Sequence, residues 1–498
     1  MAEEIELKLA LPETAHRAFL RHPLLKQAER LPTRKLVNVY YDTPDLALQR
    51  KGIALRTRRQ GRGWLQTVKC AGTASGGLAV RPEWEQPYTG RFDFAGIGDP
   101  QVRALLERQR IQSHLEPAFE TVFMRRTWRL SPAPGATVLL MLDRGWVEAG
   151  GRREAVSEIE LELVQGRVSA LFDLALAFMA DLPLRPEILS KAERGYRLRL
   201  GAPPRPVKAA PSPLDAAQTP PEAFRSIAAA CITQLQLNEL GAREDDPEFI
   251  HQMRVALRRL RSALRIFRPV LPEGLEQAAV PPIRDLAGAL GMARDWDVLA
   301  EDIVGPAHRA FSADARLAAL AAAVGQARQQ ARAVAQQALA APGHAAALLD
   351  LNARLHQDGS AAAGESLVAF AARRLNRLHK KALALADAAQ ENDPASLHAL
   401  RIGVKRLRYA LEFFAPLHRA RDVRDALEAL TALQDALGAL NDLSRAGALL
   451  AQCLDGNPGL REAVALTGGW HGQRHAVLRK LTLQGIGRLR KIERFWKA

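Results

Sequence analysis

Glu4, Glu6 and Lys8 alternate with Ile5, Leu7 and Leu9 near the start of the chain. In an extended strand, residues two apart share a face, so the three charges point one way and the three apolar side chains the other. The alternation recurs: Arg56 and Arg58 share one face of a later run, and Arg81, Glu83 and Glu85 that of another. Glu158, Glu160 and Glu162 stand opposite Ile159, Leu161 and Leu163 in a fourth. Lys69, Arg125 and Asp143 add single charges; parity with Thr121 and Phe123 favours Arg125 over Arg126, and a bulge would reverse that choice. Clustered carboxylates suit hard divalent cations, Mg²⁺ or Mn²⁺, which take oxygen ligands. Arginine and lysine suit phosphate, the first through paired hydrogen bonds and the second as a point charge. A metal-bound triphosphate would satisfy both sets.

A second constellation lies downstream. His251, Arg254, Arg258, Arg261 and Arg265 are spaced 3, 4, 3 and 4, and His398, Arg401, Lys405 and Arg408 repeat the first three steps 147 residues later. Each set forms one stripe along a helix, apart from the apolar stripe of Met253, Leu257, Leu260, Leu264 and Phe267. A basic stripe is often only a solvated face. Two duplicated ones, packed together, would make a groove or pore for an extended polyanion. Arg374, Arg377 and Lys381 would extend that surface. Aromatic residues are 5% of the chain and do not interleave with the stripes, which disfavours nucleic acid.

These residues need elements to hold them. Eight strands are expected near 3–10, 34–43, 53–60, 63–70, 79–88, 117–130, 137–148 and 153–165. Gly61-Arg62-Gly63 and Gly150-Gly151 supply hairpin turns. Short helices follow Pro12 and Asp99, and an apolar helix covers 168–181. Three arrangements fit: a sandwich with solvated charged faces, an outer-membrane barrel, or a closed barrel with inward charges and helices outside. Segregation of acids and bases by strand favours the last. Residues 201–221 hold seven prolines and read as an extended linker. Beyond it the chain is Ala-, Leu- and Arg-rich and repeats at an offset of 147, matching Ala289-Leu290-Gly291 with Ala436-Leu437-Gly438 and Asp295 with Asp442. The expected fold is therefore α+β. A barrel domain (1–200) and a linker (201–221) precede an all-α domain (222–498) built from a unit duplicated at about 222–305 and 365–450.

The formal charge of +16 is spread over both parts: residues 1–200 hold 31 basic and 24 acidic residues of the 70 and 54 in the whole chain. Such an excess points to polyanionic partners. Three distant cysteines, Cys70, Cys231 and Cys453, draw no disulfide framework. The acidic start is unlike a secretory signal, and the Ala-rich 314–350 stretch is too interrupted to span a bilayer. A cytoplasmic protein with no membrane partner is expected.

Glu4-Ile-Glu6-Leu-Lys8 resembles the ExExK signature of CYTH domains, the triphosphate tunnel metalloenzymes. In chain order the resemblance continues through Tyr40-Tyr41-Asp42-Thr43, Leu55-Arg56-Thr57-Arg58, Arg81-x-Glu83-x-Glu85, Leu142-Asp143-Arg144-Gly145, Glu158-Ile-Glu160-Leu-Glu162 and Ser190-Lys191. It implies an eight-stranded tunnel that hydrolyses a phosphoanhydride, as bacterial inorganic triphosphatases do. By that resemblance Lys8, Arg56, Arg58, Lys69, Arg81, Arg125 and Lys191 grip phosphates. Glu4, Glu6, Glu85, Asp143, Glu158 and Glu160 hold one or two metal ions, and Glu4, Glu6, Lys8 and Lys69 carry catalysis. Cyclases and thiamine or nucleoside triphosphatases share these motifs and stay open as alternatives. The duplicated His-x-x-Arg helices resemble the CHAD domain, which implies polyphosphate binding through His251, Arg254, Arg258, Arg261, Arg265, His398, Arg401, Lys405 and Arg408. Arg294-Asp295-Trp296-Asp297 and Asn441-Asp442 also fit it, their acids read as helix caps or salt-bridge partners.

Overall fold

The computed structural model describes residues 2–497 except 62, 202, 245, 358–364 and 391–392. Strand alternation closes into a barrel of eight strands. They are β1 (Ala2–Ala10), β2 (Arg34–Asp42), β3 (Ile53–Gln60), β4 (Gly63–Cys70), β5 (Leu78–Pro87), β6 (Glu116–Leu130), β7 (Thr137–Ala149) and β8 (Arg152–Gln165). The order around the barrel is β1-β8-β7-β6-β2-β3-β4-β5, all antiparallel, and pairing of β5 with β1 closes it. Short strands at Glu29–Arg30, Thr73–Ser75 and Arg185–Pro186 attach to it. Gly150 and Gly151 both take positive φ (55° and 75°), as a two-residue hairpin between β7 and β8 requires. Arg62, in the other expected turn, lies outside the described residues.

Leu7, Leu9, Ile159 and Leu161 are fully buried, although their faces point out of the barrel. Phe172, Ala175 and Phe178 of α1 (Ser169–Asp181), together with Phe19, cover them. Each such side chain contributes roughly 1.5–3 kcal/mol of burial, so the apolar faces hold the covering helices and leave the lumen to the charges. α2 (Lys191–Leu200), which the strand pattern did not foresee, starts on a Ser190–Glu193 capping box.

Among the remaining helices, one set repeats another. α3 (Pro220–Arg243), α4 (Pro247–Phe267) and α5 (Leu275–Val298) are followed by α6 (Ala315–Ala340) and α7 (Pro342–Leu355). Next come α8 (Leu367–Asp387), α9 (Pro394–Phe414) and α10 (Ala420–Gly456), and α11 (Gly472–Arg490) lies near the end. The starts of α3 and α8, and of α4 and α9, differ by the same 147 residues as the sequence repeat (220 to 367, 247 to 394). The equivalent Phe267 and Phe414 meet at 5.6 Å between ring centroids, so the two copies share one core.

Two compact units result, 1–204 with 342–358 and 205–341 with 359–498. Packing thus departs from chain order: α7, expected within the helical domain, belongs to the barrel's unit. The proline-rich segment is not a free tether either. Val207 exchanges hydrogen bonds with the side chain of Asn238 on α3, both at 2.9 Å.

Candidate functional site

Strand register brings the charges together in the lumen. Lys8 lies opposite Glu160 across β1 and β8, and Glu4 opposite Arg81 across β1 and β5. Lys69 faces Glu83 across β4 and β5, and Arg125 faces Asp143 across β6 and β7. The β6–β7 register runs without a break from Glu120 to Leu130, so Arg125 keeps its inward parity. All seven lumen cations have a carboxylate partner. Lys69 Nζ is 2.6 Å from Glu4 and 3.0 Å from Glu83, and Arg56 is 3.7 Å from Glu83. Arg81 binds Glu6, and Arg58 binds Glu85. Lys8 lies 3.7 Å from Glu6 and 3.8 Å from Glu160. Arg125 holds Asp143 through two nitrogens at 2.8 and 2.6 Å and also reaches Glu160.

The six carboxylates read as metal ligands fall into three places. Asp143, Glu158 and Glu160 are buried, with one oxygen of each inside a 4.8 Å cluster. Glu4 and Glu6 stand with Lys69, Arg81 and Lys8, while Glu85 lies with Arg58 and Thr67. Lys191 Nζ from α2 sits on the buried trio, 2.7 Å from Asp143 and 2.9 Å from Glu160, and also binds Glu158. The Phe123 ring backs that ammonium at 4.8 Å. The trio offers only carboxylate oxygens, the donor type that Mg²⁺ and Mn²⁺ prefer, so it fits such an ion provided that Lys191 yields its contacts.

Electrostatics distinguish the acids. Burial pushes Glu4 up to about 7, with Glu6 and Glu83 adding and Lys69 opposing. Burial acts on Glu6 too, but Lys8, Arg81 and Lys69 outweigh it and hold Glu6 down at about 2. Glu160 is likewise held well below the usual carboxylate range: Lys191, Arg125 and Lys8 overcome its burial. Burial lifts Glu158 and Glu162. Lys191 stays charged because Asp143, Glu158 and Glu160 overcome its burial.

Strand parity does not reveal Asp42. Fully buried, it accepts the backbone N–H groups of Thr43, Leu48 and Gln49 and the Tyr196 hydroxyl. It ties the end of β2 to α2, and so helps to seat Lys191.

In the helical unit, a cavity of about 320 Å³ is lined by His251 and Arg258 of α4, Arg401 and Lys405 of α9, and Gln434, Asp442 and Arg474, among others. Arg258, Arg401 and Lys405 have no ion pair among the described residues. Burial, then Arg401, Arg258, Arg261 and Arg406, pushes Lys405 down to about 7. Arg254 lies beside this wall, 3.8 Å from Asp295. Arg408 turns aside to Gln434 (2.8 Å) and Glu412, Arg265 is exposed, and His398 is exposed and bonded to Asn441 (3.0 Å). Arg261 lies close enough to Arg265 and Arg284 to feel their charges. Gln434 and Arg474 were not foreseen: they lie outside the duplicated stripes. Asp295 and Asp297 lie inside α5, so neither is a cap. Asp295 pairs with Arg254 and Arg445, and Asp297 is buried against Arg328 (2.7 Å) and Arg332 (2.9 Å).

The chain thus combines a closed barrel lined with paired acids and bases and a duplicated helical unit in which Arg258, Arg401 and Lys405 have no ion pair among the described residues. Residues 2–196 match the family model for the CYTH domain and residues 226–451 that for the CHAD domain, so the chain carries a CYTH domain followed by a CHAD domain. It is 34% identical over 212 residues to the inorganic triphosphatase of Haemophilus influenzae, covering 40% of this chain and 55% of that protein. An uncharacterized protein of Mycobacterium tuberculosis is 28% identical over 324 residues, covering 60% and 58%. The crystal structure of the CHAD domain from the plant Ricinus communis matches with a TM-score of 0.51 at 37% identity, covering 58% of this chain and 98% of that one. The chain spans little more than half the length of these curated relatives. Among the described residues, no helix is long and apolar enough to cross a membrane.

Proposed function

We propose that the barrel hydrolyses inorganic triphosphate to pyrophosphate and phosphate with Mg²⁺ or Mn²⁺, and that the helical unit binds polyphosphate. A cytoplasmic location suits such a soluble substrate. The observation that carries the reading is the pairing of all seven lumen cations with carboxylates. A triphosphate entering the lumen draws Lys8, Arg56, Arg58, Lys69, Arg81, Arg125 and Lys191 to its oxygens. Their carboxylates then lose their counter-charges in a buried space, where uncompensated charge is costly. Divalent cations are the natural replacement at Asp143, Glu158 and Glu160, with Glu4, Glu6 and Glu85 as further ligands. When bound, such an ion lowers the pKa of coordinated water and offsets charge on the phosphates.

The protein's own groups do the rest. Lysine and arginine hold the chain in line and oppose the charge that develops on the leaving pyrophosphate. Glu4 and Glu6, between Lys8, Lys69 and Arg81, help to hold the metal and the phosphates together. The helical unit's Arg258, Arg401 and Lys405, without an ion pair among the described residues, suit an external anion, and a chain of phosphates supplies one charge at each step along the cavity. A Glu6→Gln exchange keeps shape but removes the charge that balances Lys8 and Arg81. It should reduce phosphate release from tripolyphosphate at least a hundredfold with the circular dichroism spectrum unchanged. Near-normal turnover in that variant would sink the assignment.

A further inference from the structure

α7 meets the barrel across a long stretch of sequence. Its Asn352 donates from Nδ2 to the carbonyl oxygen of Ser75, 277 residues away, at 2.8 Å. Ala345, Leu349 and Ala353, four apart, enter the apolar cluster that holds Leu7, Leu9, Leu78 and Phe172. That face accounts for docking of the helix. Asn352 is a different matter: it is fully buried, and its Oδ1 has no hydrogen-bond partner among the described residues. An unpaired buried acceptor lowers stability, and a leucine, branched in the same way, would remove it together with the donor to Ser75. Docking alone therefore does not call for an asparagine.

The turn that Asn352 holds is built into the site. Gly76 and Gly77 have φ of +61° and +87°, the left-handed region that favours glycine. A Cβ on Gly76 would come within 2.4 Å of Asn352 Nδ2, and one on Gly77 within 2.7 Å of the Lys8 carbonyl oxygen. Gly77 accepts the backbone N–H of Lys8 at 2.9 Å, and the Lys8 carbonyl accepts that of Glu187 at 2.9 Å, shortly before Lys191. The same turn leads into β5, where Arg81 stands opposite Glu4. One hydrogen bond from α7 thus fixes a turn bonded to the backbone of Lys8 and continuous with Arg81.

We infer that Asn352 is a positioning residue for the lumen: α7 is a strut that sets Lys8 and the β1–β5 seam from outside the barrel. The catalytic part of this inference rests on the triphosphatase reading above. The test uses full-length wild type, Asn352→Leu, Asn352→Ala and, as a packing control, Leu349→Ala. It measures tripolyphosphate turnover, Tm, and hydrogen exchange over residues 5–10 and 75–82. Asn352→Leu should lower kcat at least tenfold with KM within threefold, at temperatures where it is fully folded, and speed exchange of the Lys8 amide at least tenfold. Asn352→Ala should show the same kinetic loss if leucine fits poorly. Leu349→Ala should lower Tm and keep kcat at temperatures where it is folded. Wild-type kcat in both Asn352 variants, or a kcat that tracks Tm across all three, overturns the inference. If wild type releases no phosphate but exchange at Lys8 still responds to Asn352, the triphosphatase reading fails and the strut stands. Unchanged exchange in an active enzyme sinks the strut alone.

Discussion

Lys405 shows what a single side chain costs and does in a basic wall. Its ordinary value is 10.5, and burial among like charges brings it to about 7. Between those values the unfolded chain holds a proton that the folded chain lacks, so without ligand this group adds stability as pH rises through the window. A bound polyanion favours the charged form, and binding must then take up a proton above pH 7. Affinity for polyphosphate should therefore fall from pH 7 to pH 9, by at most tenfold per unit, with proton uptake visible by calorimetry in buffers of different ionisation enthalpy. Lys405→Arg, which keeps its charge, should flatten that slope. Asp442 and Asp435, both lifted mainly by burial, line the same cavity. An equally steep slope in the arginine variant would remove Lys405 from the site. The inward charges were legible residue by residue because strand parity is a rule of period two. Lys191 was legible only through resemblance, since a helix start carries no parity. Asp42 stands within a motif, but its donors come from the segment after β2 and from α2, which no local pattern connects.

At the level of elements, the lumen depends on how tightly the covering helices sit. Gly195 on α2 faces Phe119, and a Cβ there would come within 2.1 Å of the ring. Close packing leaves no room to absorb it. Gly195→Ala should destabilise the chain by about 1–3 kcal/mol, as overpacked sites do, and should lower turnover by moving Lys191 off the acid trio. A melting curve and a kcat measured well below Tm check both parts; wild-type values in each would show that α2 can shift freely. All eight strands were read from alternation to within a few residues, because each buries one face. The short strand pairs and α2 were missed, being too brief or too polar to show a period. The placement of α7 was missed for a different reason. Its partner strands lie in another part of the sequence, and amphipathicity tells that a face is buried but not against what.

For the molecule as a whole, the +16 charge resolves into two kinds of basic surface. Lumen cations are paired with carboxylates; in the helical cavity Arg258, Arg401 and Lys405 have no ion pair among the described residues, although Asp302, Asp435 and Asp442 line the same space. Duplication explains the second kind, since one stripe copied 147 residues on places two sets of bases on facing helices. Arg254→Ala and Arg401→Ala should each weaken binding of long-chain polyphosphate to the full chain more than tenfold, as the roughly 1.5–3 kcal/mol of a charge-assisted contact implies. Binding should also weaken with salt. Unaltered affinity in both variants would place the polyanion elsewhere. Repeat and proline-rich boundary were plain in the sequence; the cavity's Gln434 and Arg474 were not, because they come from α10 and α11 outside the repeated motif.

The claim at the centre is that the barrel acts on inorganic triphosphate. Phosphate release from tripolyphosphate, ATP, thiamine triphosphate and long-chain polyphosphate, each with Mg²⁺ or Mn²⁺ and with chelator, tests it directly. Metal-dependent release should be fastest from tripolyphosphate and should yield pyrophosphate. Preferential release from ATP, formation of cyclic AMP, or turnover undiminished by chelator would contradict it.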